Sequence, residues 1–237
     1  MLAPAWTSPD NRLLGDLPEA DRRAVVALAR RVDLHADEDV FEPGEVPDFV
    51  VFPTSGICSH VMLLKSGRTV HAGTVGNEGM LGLAVYLGVD FEAHAHVVKV
   101  AGDGLRMPSD AFLEMTRRSP AFEATVRRYV AYTIRAANQA VACNALHSVM
   151  ERTCRWILAT HDRIGDDDLP MKHEFLAEMA ATHRQTVTAI TGDLQRAGVI
   201  RHQRGRLRVV DRRGLEERAC ECYVAVRRMY ERVRGEA

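Results

Sequence analysis

The chain has 237 residues, of which 46% are hydrophobic and 27% charged, an ordinary composition for a folded protein of one or two domains. No apolar run reaches the roughly 18 residues that a membrane span needs, and the N-terminal residues lack the layout of a signal peptide. The five cysteines are scattered without a CxxC pair, so we expect reduced thiols in a cytoplasmic protein with no membrane partner.

The formal net charge of −1 hides a basic segment near the C-terminus. Eight arginines lie between Arg184 and Arg213, against the two acidic residues Asp193 and Asp211. A basic stripe confined to one part of a near-neutral chain indicates a surface that faces a polyanion. The alternative is a solvated face in a chain that uses arginine as its common base.

The first elements in chain order are a helical segment and a set of short strands. Apolar residues have helical spacing from Leu13 to Val32, and Pro18 can begin the second half of that stretch. Short β-rich runs separated by glycine-containing breaks follow at Asp39–Phe41, Phe49–Pro53, Cys58–Leu64, Thr69–Thr74 and His94–Val100. This pattern predicts a small antiparallel barrel or sandwich, with a hairpin turn at Ser66-Gly67.

Helix is predicted again from Ser109, and a long helix from Ser119-Pro120 to about Asn144. Residues at steps of three and four form a stripe on one face of this long helix, and their side chains become smaller toward its C-terminal end. We expect this stripe to pair two subunits, with packing on the chain's own barrel as the alternative. The predicted dimerisation residues are Phe122, Val126, Tyr129, Thr133, Ala137, Ala140 and Asn144.

The segment Leu169–Asp211 has the pattern of a winged helix-turn-helix. A short helix is followed by the connection Ala180–His183 and by a second helix at Arg184–Ala197. Gly198 stands where a left-handed residue ends a helix, and two strands joined by the basic turn Arg201–Arg206 form the wing. The expected inward residues are Phe175, Leu176, Met179, Val187, Ile190 and Leu194.

Two features of this segment suit DNA. Thr182 and Gln185 have the spacing of a capping box at the start of the second helix, whose exposed N-terminal end would read base edges in the major groove. The wing arginines would neutralise phosphates and set the register on the duplex. The predicted DNA-binding residues are Thr182, His183, Arg184, Gln185, Thr188, Ala189, Arg201, Arg204, Arg206 and Arg208.

The sequence resembles the Crp/Fnr superfamily of bacterial transcription regulators over nearly its whole length. The C-terminal motifs that carry the resemblance are Leu176-Ala177, Arg184-Gln-Thr-Val187, Leu194, Gly198-Val-Ile200 and Arg204-Gly205. The looser N-terminal motifs are Glu42-Pro-Gly-Glu45 and Gly76-Asn-Glu-Gly79 with Gly82.

The resemblance implies an α+β fold with three parts. These are an N-terminal antiparallel β-roll, jelly-roll-like and similar to cyclic-nucleotide-binding domains, a long dimerisation helix, and a C-terminal winged helix-turn-helix. We expect them at residues 1–118, 119–147 and 148–237. The resemblance also implies that Arg184 and Gln185 occupy the principal base-reading positions.

The helix-turn-helix departs from the family pattern at two positions. Ala181 stands where the family usually has glycine, and alanine with a positive φ angle there costs on the order of 1 kcal/mol. His183 replaces the serine that usually precedes the recognition arginine, which would change a phosphate contact.

The predicted effector pocket departs from the family members that bind cyclic AMP. Those members pair an arginine with the cyclic phosphate, whereas the corresponding region here, Phe91–Val98, contains none, so cyclic AMP is not the expected effector. Met1–Ile57 contains no cysteine, which argues against an oxygen-sensing iron–sulfur cluster. The predicted effector-pocket residues are Gly76, Glu78, Gly79, Gly82, His94 and His96.

Two residue pairs have the spacing of metal ligands. His94 and His96 share one face of a strand, and Cys143 and His147 lie one helical turn apart. The histidines would suit a metal or haem, but we favour a structural interpretation for both pairs. Cys220 and Cys222 would point to different helix faces, so we expect no shared metal there and no cofactor in the chain.

The sequence contains no P-loop, GxSxG, HExxH or dinucleotide-binding motif, so we expect no enzyme activity. It predicts a homodimeric transcription regulator that binds an inverted repeat in double-stranded DNA, contacts RNA polymerase and responds to an unidentified small molecule. The alternative is a ligand-binding or scaffold module, related to cyclic-nucleotide-binding domains, that acts through protein partners.

Overall fold

The computed structural model describes residues 11–67 and 69–235, so residues 1–10 of the predicted sensory part lie outside it. The elements before the long helix are α1 (Arg12–Gly15), α2 (Glu19–Leu28), β1 (Arg30–Leu34), β2 (Asp39–Phe41), β3 (Phe49–Pro53), β4 (Ile57–Leu63), β5 (Thr69–Val75), α3 (Leu83–Leu87), β6 (Ala95–Val100), β7 (Gly102–Pro108) and α4 (Ser109–Arg118).

The long helix is α5 (Pro120–Leu146), as its cap predicts: the Ser119 hydroxyl accepts the N–H of Phe122 at 3.1 Å. The elements after it are α6 (Val149–Ile164), β8 (Asp168–Leu169), α7 (His173–Met179), α8 (Arg184–Arg196), β9 (Ile200–Gln203), β10 (Arg206–Val209), α9 (Arg212–Glu216) and α10 (Cys222–Arg234). None of the described helices is long and apolar enough to cross a membrane.

The strands before α5 form two antiparallel sheets, in the orders β1-β7-β3 and β2-β6-β4-β5. Strand β3 is buried on both of its faces, which explains its unbroken apolar sequence. Val51 packs between the sheets with Phe41 and Val98, whereas Val50 and Phe52 pack against the helices. The predicted antiparallel β-roll is confirmed.

Two strands differ from the sequence prediction. Residues 30–34, at the end of the segment predicted as helical, form β1, and β7 occupies residues 102–108 after a break predicted at Gly102. The two strands pair with each other, with Arg30 opposite Arg106 and Leu34 opposite Gly102. Their hydrogen-bond partners are some seventy residues apart in the chain, so local periodicity does not reveal them.

The first half of α5 packs on the β-roll rather than on a partner. Phe122, Val126 and Tyr129 are buried in one cluster with Phe52 and Phe112. The ring of Phe122 lies 5.5 Å from that of Phe112, in an edge-to-face arrangement. For these three residues the predicted dimer contact is therefore corrected: their apolar stripe is used within the chain.

The C-terminal part is a winged helix-turn-helix with the sheet order β8-β10-β9. Leu176, Val187, Leu194, Ile200 and Leu207 share its core, as the sequence predicts for the two helices. The wing turn is shorter than predicted, because β9 and β10 extend to Gln203 and Arg206, which pair across it.

The predicted capping box at the start of α8 is wrong. The N-cap of α8 is His183, with no side-chain cap, and the N–H of Thr182 donates to the Ala177 carbonyl at 2.9 Å. A complete capping box stands instead at the start of α6, between Ser148 and Glu151.

The two halves of the chain also contact each other beside α5. Helix α10 packs along α5, where the rings of Tyr132 and Tyr230 lie 5.2 Å apart, and α7 packs against β5. Arg163 of α6 donates to the Glu78 carboxylate at 2.7 Å, and the Tyr230 hydroxyl donates to the Glu78 carbonyl at 3.0 Å. Glu78 therefore connects the β-roll to two helices of the C-terminal half.

Candidate nucleic-acid interface

The turn between α7 and α8 has the backbone conformation that its family resemblance implies. Ala181 has a φ angle of 48°, so the chain places alanine in the left-handed region. Ala181 and Thr182 donate to the carbonyls of Glu178 and Ala177, at 3.2 and 2.9 Å. This is a Schellman motif, which ends α7 and turns the chain into α8.

Helix α8 buries one face and exposes the other, as predicted. Val187, Ile190 and Leu194 are buried, and the exposed positions toward the N-terminal end of the helix are Arg184, Gln185, Thr188 and Ala189. His183 is exposed beside them, and Thr182 is half-buried. The predicted recognition residues therefore lie together at the end of α8 that points out of the domain.

Two residues of α7, which the sequence prediction missed, contact this surface. Arg184 Nε lies 2.7 Å from the Glu174 carboxylate, and both side chains are more than half exposed. The Thr188 hydroxyl lies 3.1 Å from His173 Nδ1 and donates to the Arg184 carbonyl. Neither contact has a signal in the sequence, since the partners lie 10 and 15 residues apart on different helices.

The wing is a two-residue hairpin with arginines on its outer face. Arg204 and Gly205 have φ angles of 51° and 77°, the left-handed pair that a type I′ turn requires. Arg201 lies directly opposite Arg208 across the strands, and both are exposed. Because like charges at opposed positions destabilise a sheet, this arrangement favours an anionic ligand over folding alone.

Arg206 differs from the other wing arginines because it has a partner in the domain. Its Nε lies 3.0 Å from the Asp168 carboxylate on β8. Lys172, which the sequence prediction also missed, is exposed. Its side chain lies beside the wing turn: a Cβ added to Gly205 would be 3.6 Å from Lys172 Cγ. A basic residue just before α7 is the only sequence signal for it.

Four of the predicted effector-pocket residues make close contacts within the chain instead. The Glu78 side chain is 1% exposed and accepts hydrogen bonds from Arg163 and from the N–H of Gly76. A Cβ on Gly79 would lie 2.0 Å from the Tyr129 hydroxyl. A Cβ on Gly82 would lie 3.0 Å from the Phe49 carbonyl oxygen. Protein atoms therefore occupy the space directly beside these positions.

The other two predicted pocket residues, His94 and His96, lie in a histidine cluster on the β2-β6-β4-β5 sheet. His60 of β4 is paired with His96 of β6, and His94 Nε2 lies 3.1 Å from His60 Nδ1. Burial lowers the pKa of all three side chains, that of His96 to about 3, so the imidazoles are neutral near pH 7. The spacing of residues in the sequence gives no sign of His60, because it joins the cluster only through the pairing of β4 with β6.

Comparison with known proteins agrees with this architecture. Residues 151–218 match the family model described as the Crp-like helix-turn-helix domain. No curated protein matches the sequence. The match confirms the helix-turn-helix that the sequence predicts.

Solved structures with this fold cover most of the chain at low sequence identity. FixK2 from Bradyrhizobium japonicum is 15% identical with a TM-score of 0.72, over 81% of this chain and 98% of that one. The c-di-GMP-responsive regulator CLP from Xanthomonas campestris is 14% identical with a TM-score of 0.67, over 81% and 99%. A CRP-family transcriptional regulator from Thermus thermophilus, TTHB099, is 22% identical with a TM-score of 0.66, over 79% and 96%.

The chain therefore contains a Crp-like helix-turn-helix domain at residues 151–218, and it shares its overall fold with these solved regulators.

Proposed function

We propose that the chain is a homodimeric, sequence-specific DNA-binding transcription regulator that acts on an inverted-repeat operator in the cytoplasm, where it also contacts RNA polymerase. The observation that carries the proposal is the surface formed by the N-terminal end of α8 and the wing. Arg184 and Gln185 are exposed where base edges would lie, and Arg201 faces Arg208 where phosphates would lie.

The dimer contact belongs on the second half of α5. Ile134 and Val141 are 59% and 70% exposed, and Ala137 and Asn144 are exposed on the same helical face. Thr133 and Ala140, two further residues of the predicted stripe, are half-buried beside this face. A second copy of the chain, related by a two-fold axis, would bury these apolar side chains against their equivalents.

The two-fold axis sets the operator geometry. Two recognition helices related by such an axis read identical half-sites whose centres are about one helical turn of DNA, roughly 34 Å, apart. We therefore expect the operator to be an inverted repeat.

The effector stays unidentified, and we propose that it is not a cyclic nucleotide. Residues 91–98 offer no arginine for a cyclic phosphate, and the nearby carboxylate of Glu78 is occupied by Arg163. A buried phosphate without a cationic partner is strongly disfavoured.

The test is selection of binding sites from a pool of random duplexes, combined with sedimentation of the full chain. We expect an inverted repeat and a dimer at micromolar concentration. Ile134→Glu would place a charge in the dimer contact and should give monomers that bind the selected operator weakly. Ala142→Glu adds the same charge at an exposed position off this face and should remain dimeric.

Two results would contradict the proposal. A wild-type chain that sediments as a monomer would remove the dimer. Failure to retain any duplex at low salt would favour the alternative, a ligand-binding or scaffold module that acts through protein partners, because phosphate contacts release counterions and bind most tightly at low salt.

A further inference from the structure

Four potential metal ligands meet where α5, α6 and α10 come together. Cys143 lies near the end of α5, His147 is the C-cap of that helix, and Cys220 and Cys222 flank the start of α10. One ligand atom from each residue lies within 4.8 Å of the ligand atoms of all the others. The fold thus brings together two pairs that are more than seventy residues apart in the sequence.

The two C-terminal cysteines converge because Cys220 does not belong to the helix. Helix α10 begins at Cys222, and its N-cap is Glu221. Cys220 therefore precedes the helix, and the regular side-chain directions of a helix do not apply to it. The expectation that Cys220 and Cys222 point apart, which assumed one continuous helix, is therefore corrected.

The distances within the cluster suit one tetrahedral ion. Cys143 Sγ lies 3.6 Å from Cys220 Sγ, and Cys222 Sγ lies 3.6 Å from His147 Nδ1. Bond lengths of about 2.3 Å to sulfur and about 2.0 Å to nitrogen give a tetrahedron with ligand-to-ligand edges of roughly 3.5 to 3.8 Å. Two of the six edges of the cluster already have this length, and all six are within 4.8 Å.

The surroundings of the cluster have the features that hold metal ligands in place. His147 directs Nδ1 toward Cys222, and its Nε2 lies 3.0 Å from the Glu221 carboxylate, the kind of partner that orients a metal-binding histidine. The Gln139 amide donates to Cys222 Sγ at 3.0 Å. These contacts fix which ring nitrogen faces the sulfurs and stabilise negative charge on one of them.

The three sulfurs are enclosed, and a positive charge lies near them. Each cysteine of the cluster is at most 3% exposed. Burial raises the pKa of the Cys143 thiol, and the charge of Arg155 partly opposes this rise. Three thiolates and one divalent cation carry a net charge of −1, which Arg155 would offset, and a bound cation deprotonates the thiols that ligate it.

We propose that Cys143, His147, Cys220 and Cys222 form a closed Cys3His site for one Zn²⁺ ion. Thiolate-rich, four-coordinate sets of this kind are typical of structural zinc. The ion would join the end of the long helix to the start of α10, and so fix the C-terminal half on α5. This proposal does not depend on DNA binding.

The test is metal analysis and Co²⁺ substitution of the full-length chain, purified under reducing conditions. We expect one Zn²⁺ per chain to be released when the thiols are modified. Co²⁺ should give intense thiolate-to-cobalt charge-transfer bands and the visible spectrum of a tetrahedral ion. The cluster of His60, His94 and His96 also has its ligand atoms within 4.8 Å of one another, but it contains no sulfur and cannot give these bands.

The chain offers matched variants for the test. Cys143→Ser and Cys222→Ser should lose the charge-transfer bands, or leave them at a small fraction of their wild-type intensity. Cys58→Ser and Cys154→Ser alter fully buried cysteines outside the cluster and should keep the full intensity.

A variant at the cluster edge avoids the risk of misfolding. Glu221 has a largely exposed side chain, so Glu221→Gln should leave the fold intact while lowering zinc affinity about 10- to 100-fold in a chelator competition. Wild-type protein with free cluster thiols and no cobalt bands, or with a Cys143–Cys220 disulfide and no metal, would overturn the proposal.

Discussion

The wing and the β-roll carry their charges in opposite ways. On the wing, Arg201 and Arg208 are exposed and opposed, and neither has an ion pair within the described residues. In the β-roll, Glu78 is 1% exposed and bonded to Arg163 of the C-terminal half. A solvated charge costs folding little, whereas a buried charge without its partner costs several kcal/mol. The wing charges are therefore available to a ligand, and the buried pair holds two parts of the chain together.

Breaking the buried pair should give the largest effect on stability. Arg163→Met keeps much of the side-chain volume but leaves the Glu78 carboxylate buried without its main partner, which should lower the free energy of unfolding by about 3–5 kcal/mol. Urea unfolding followed by circular dichroism measures this change. Arg201→Ala on the wing is the matched control and should change it by no more than about 0.5 kcal/mol. A loss below about 1 kcal/mol in Arg163→Met would contradict the assigned role of the pair.

Acid should act on the histidine cluster of the β-roll. Burial lowers the pKa of folded His96 to about 3, so between pH 6.5 and pH 3 the unfolded chain binds a proton that the folded chain does not. Stability therefore falls as the pH falls through this window, and His96 alone contributes about 1.6 kcal/mol between pH 6.5 and pH 5.

The measurement is urea unfolding at both pH values in the presence of a chelator. His96→Gln should lose about that much of the pH dependence, whereas His35→Gln, which alters an exposed histidine, should keep it. Identical pH dependence in wild type and His96→Gln would contradict the buried, neutral state of His96.

The backbone of the helix-turn-helix should show a smaller effect. Ala181 has a left-handed conformation that glycine adopts without strain, and the gain is partly offset by the greater freedom of glycine in the unfolded chain. Ala181→Gly should raise the free energy of unfolding by about 0.5–1 kcal/mol. Ala197→Gly, which replaces an alanine of φ −75° at the end of α8, is the control and should be neutral or destabilising. Destabilisation by Ala181→Gly would mean that the turn is not strained.

Cyclic nucleotides should have no effect on the β-roll. A ligand that binds only the folded state at 100 times its dissociation constant adds about 2.7 kcal/mol, which a thermal melt detects easily. Millimolar cyclic AMP or cyclic GMP should leave the melting temperature unchanged. Saturable stabilisation by either nucleotide would mean that another cation, such as Arg128 or Arg135 of α5, pairs with the phosphate.

The same contrast explains what could be predicted from the sequence. The helix-turn-helix is built from neighbouring elements, so the spacing of Val187, Ile190 and Leu194 and the position of Gly198 predicted it directly. The β-roll contacts join distant residues: Glu78 meets Arg163, and β1 pairs with β7. No local pattern contains such a pairing.

Periodicity also predicts a face without saying what covers it. The first half of the stripe on α5 is buried against the β-roll through Phe122 and Val126. The exposed apolar face of the helix lies farther along, at Ile134 and Val141. The cysteine cluster was missed for a related reason. It depends on where α10 begins, and a shift of that boundary by two residues decides whether Cys220 and Cys222 converge.

In the proposed complex, the N-terminal end of α8 reads bases while the wing contacts phosphates. The most direct measurement compares Arg184→Ala with Arg201→Ala on a selected operator and on single-base variants of it, over a range of salt concentrations. Arg201 is chosen because Arg206 is already paired with Asp168.

Arg184→Ala should weaken operator binding by about 1–3 kcal/mol and lose discrimination at one base pair. Arg201→Ala should weaken all duplexes similarly and lower the slope of log affinity against log salt by about one. If both variants bound the operator with wild-type affinity, discrimination and salt dependence, the proposed interface would be wrong.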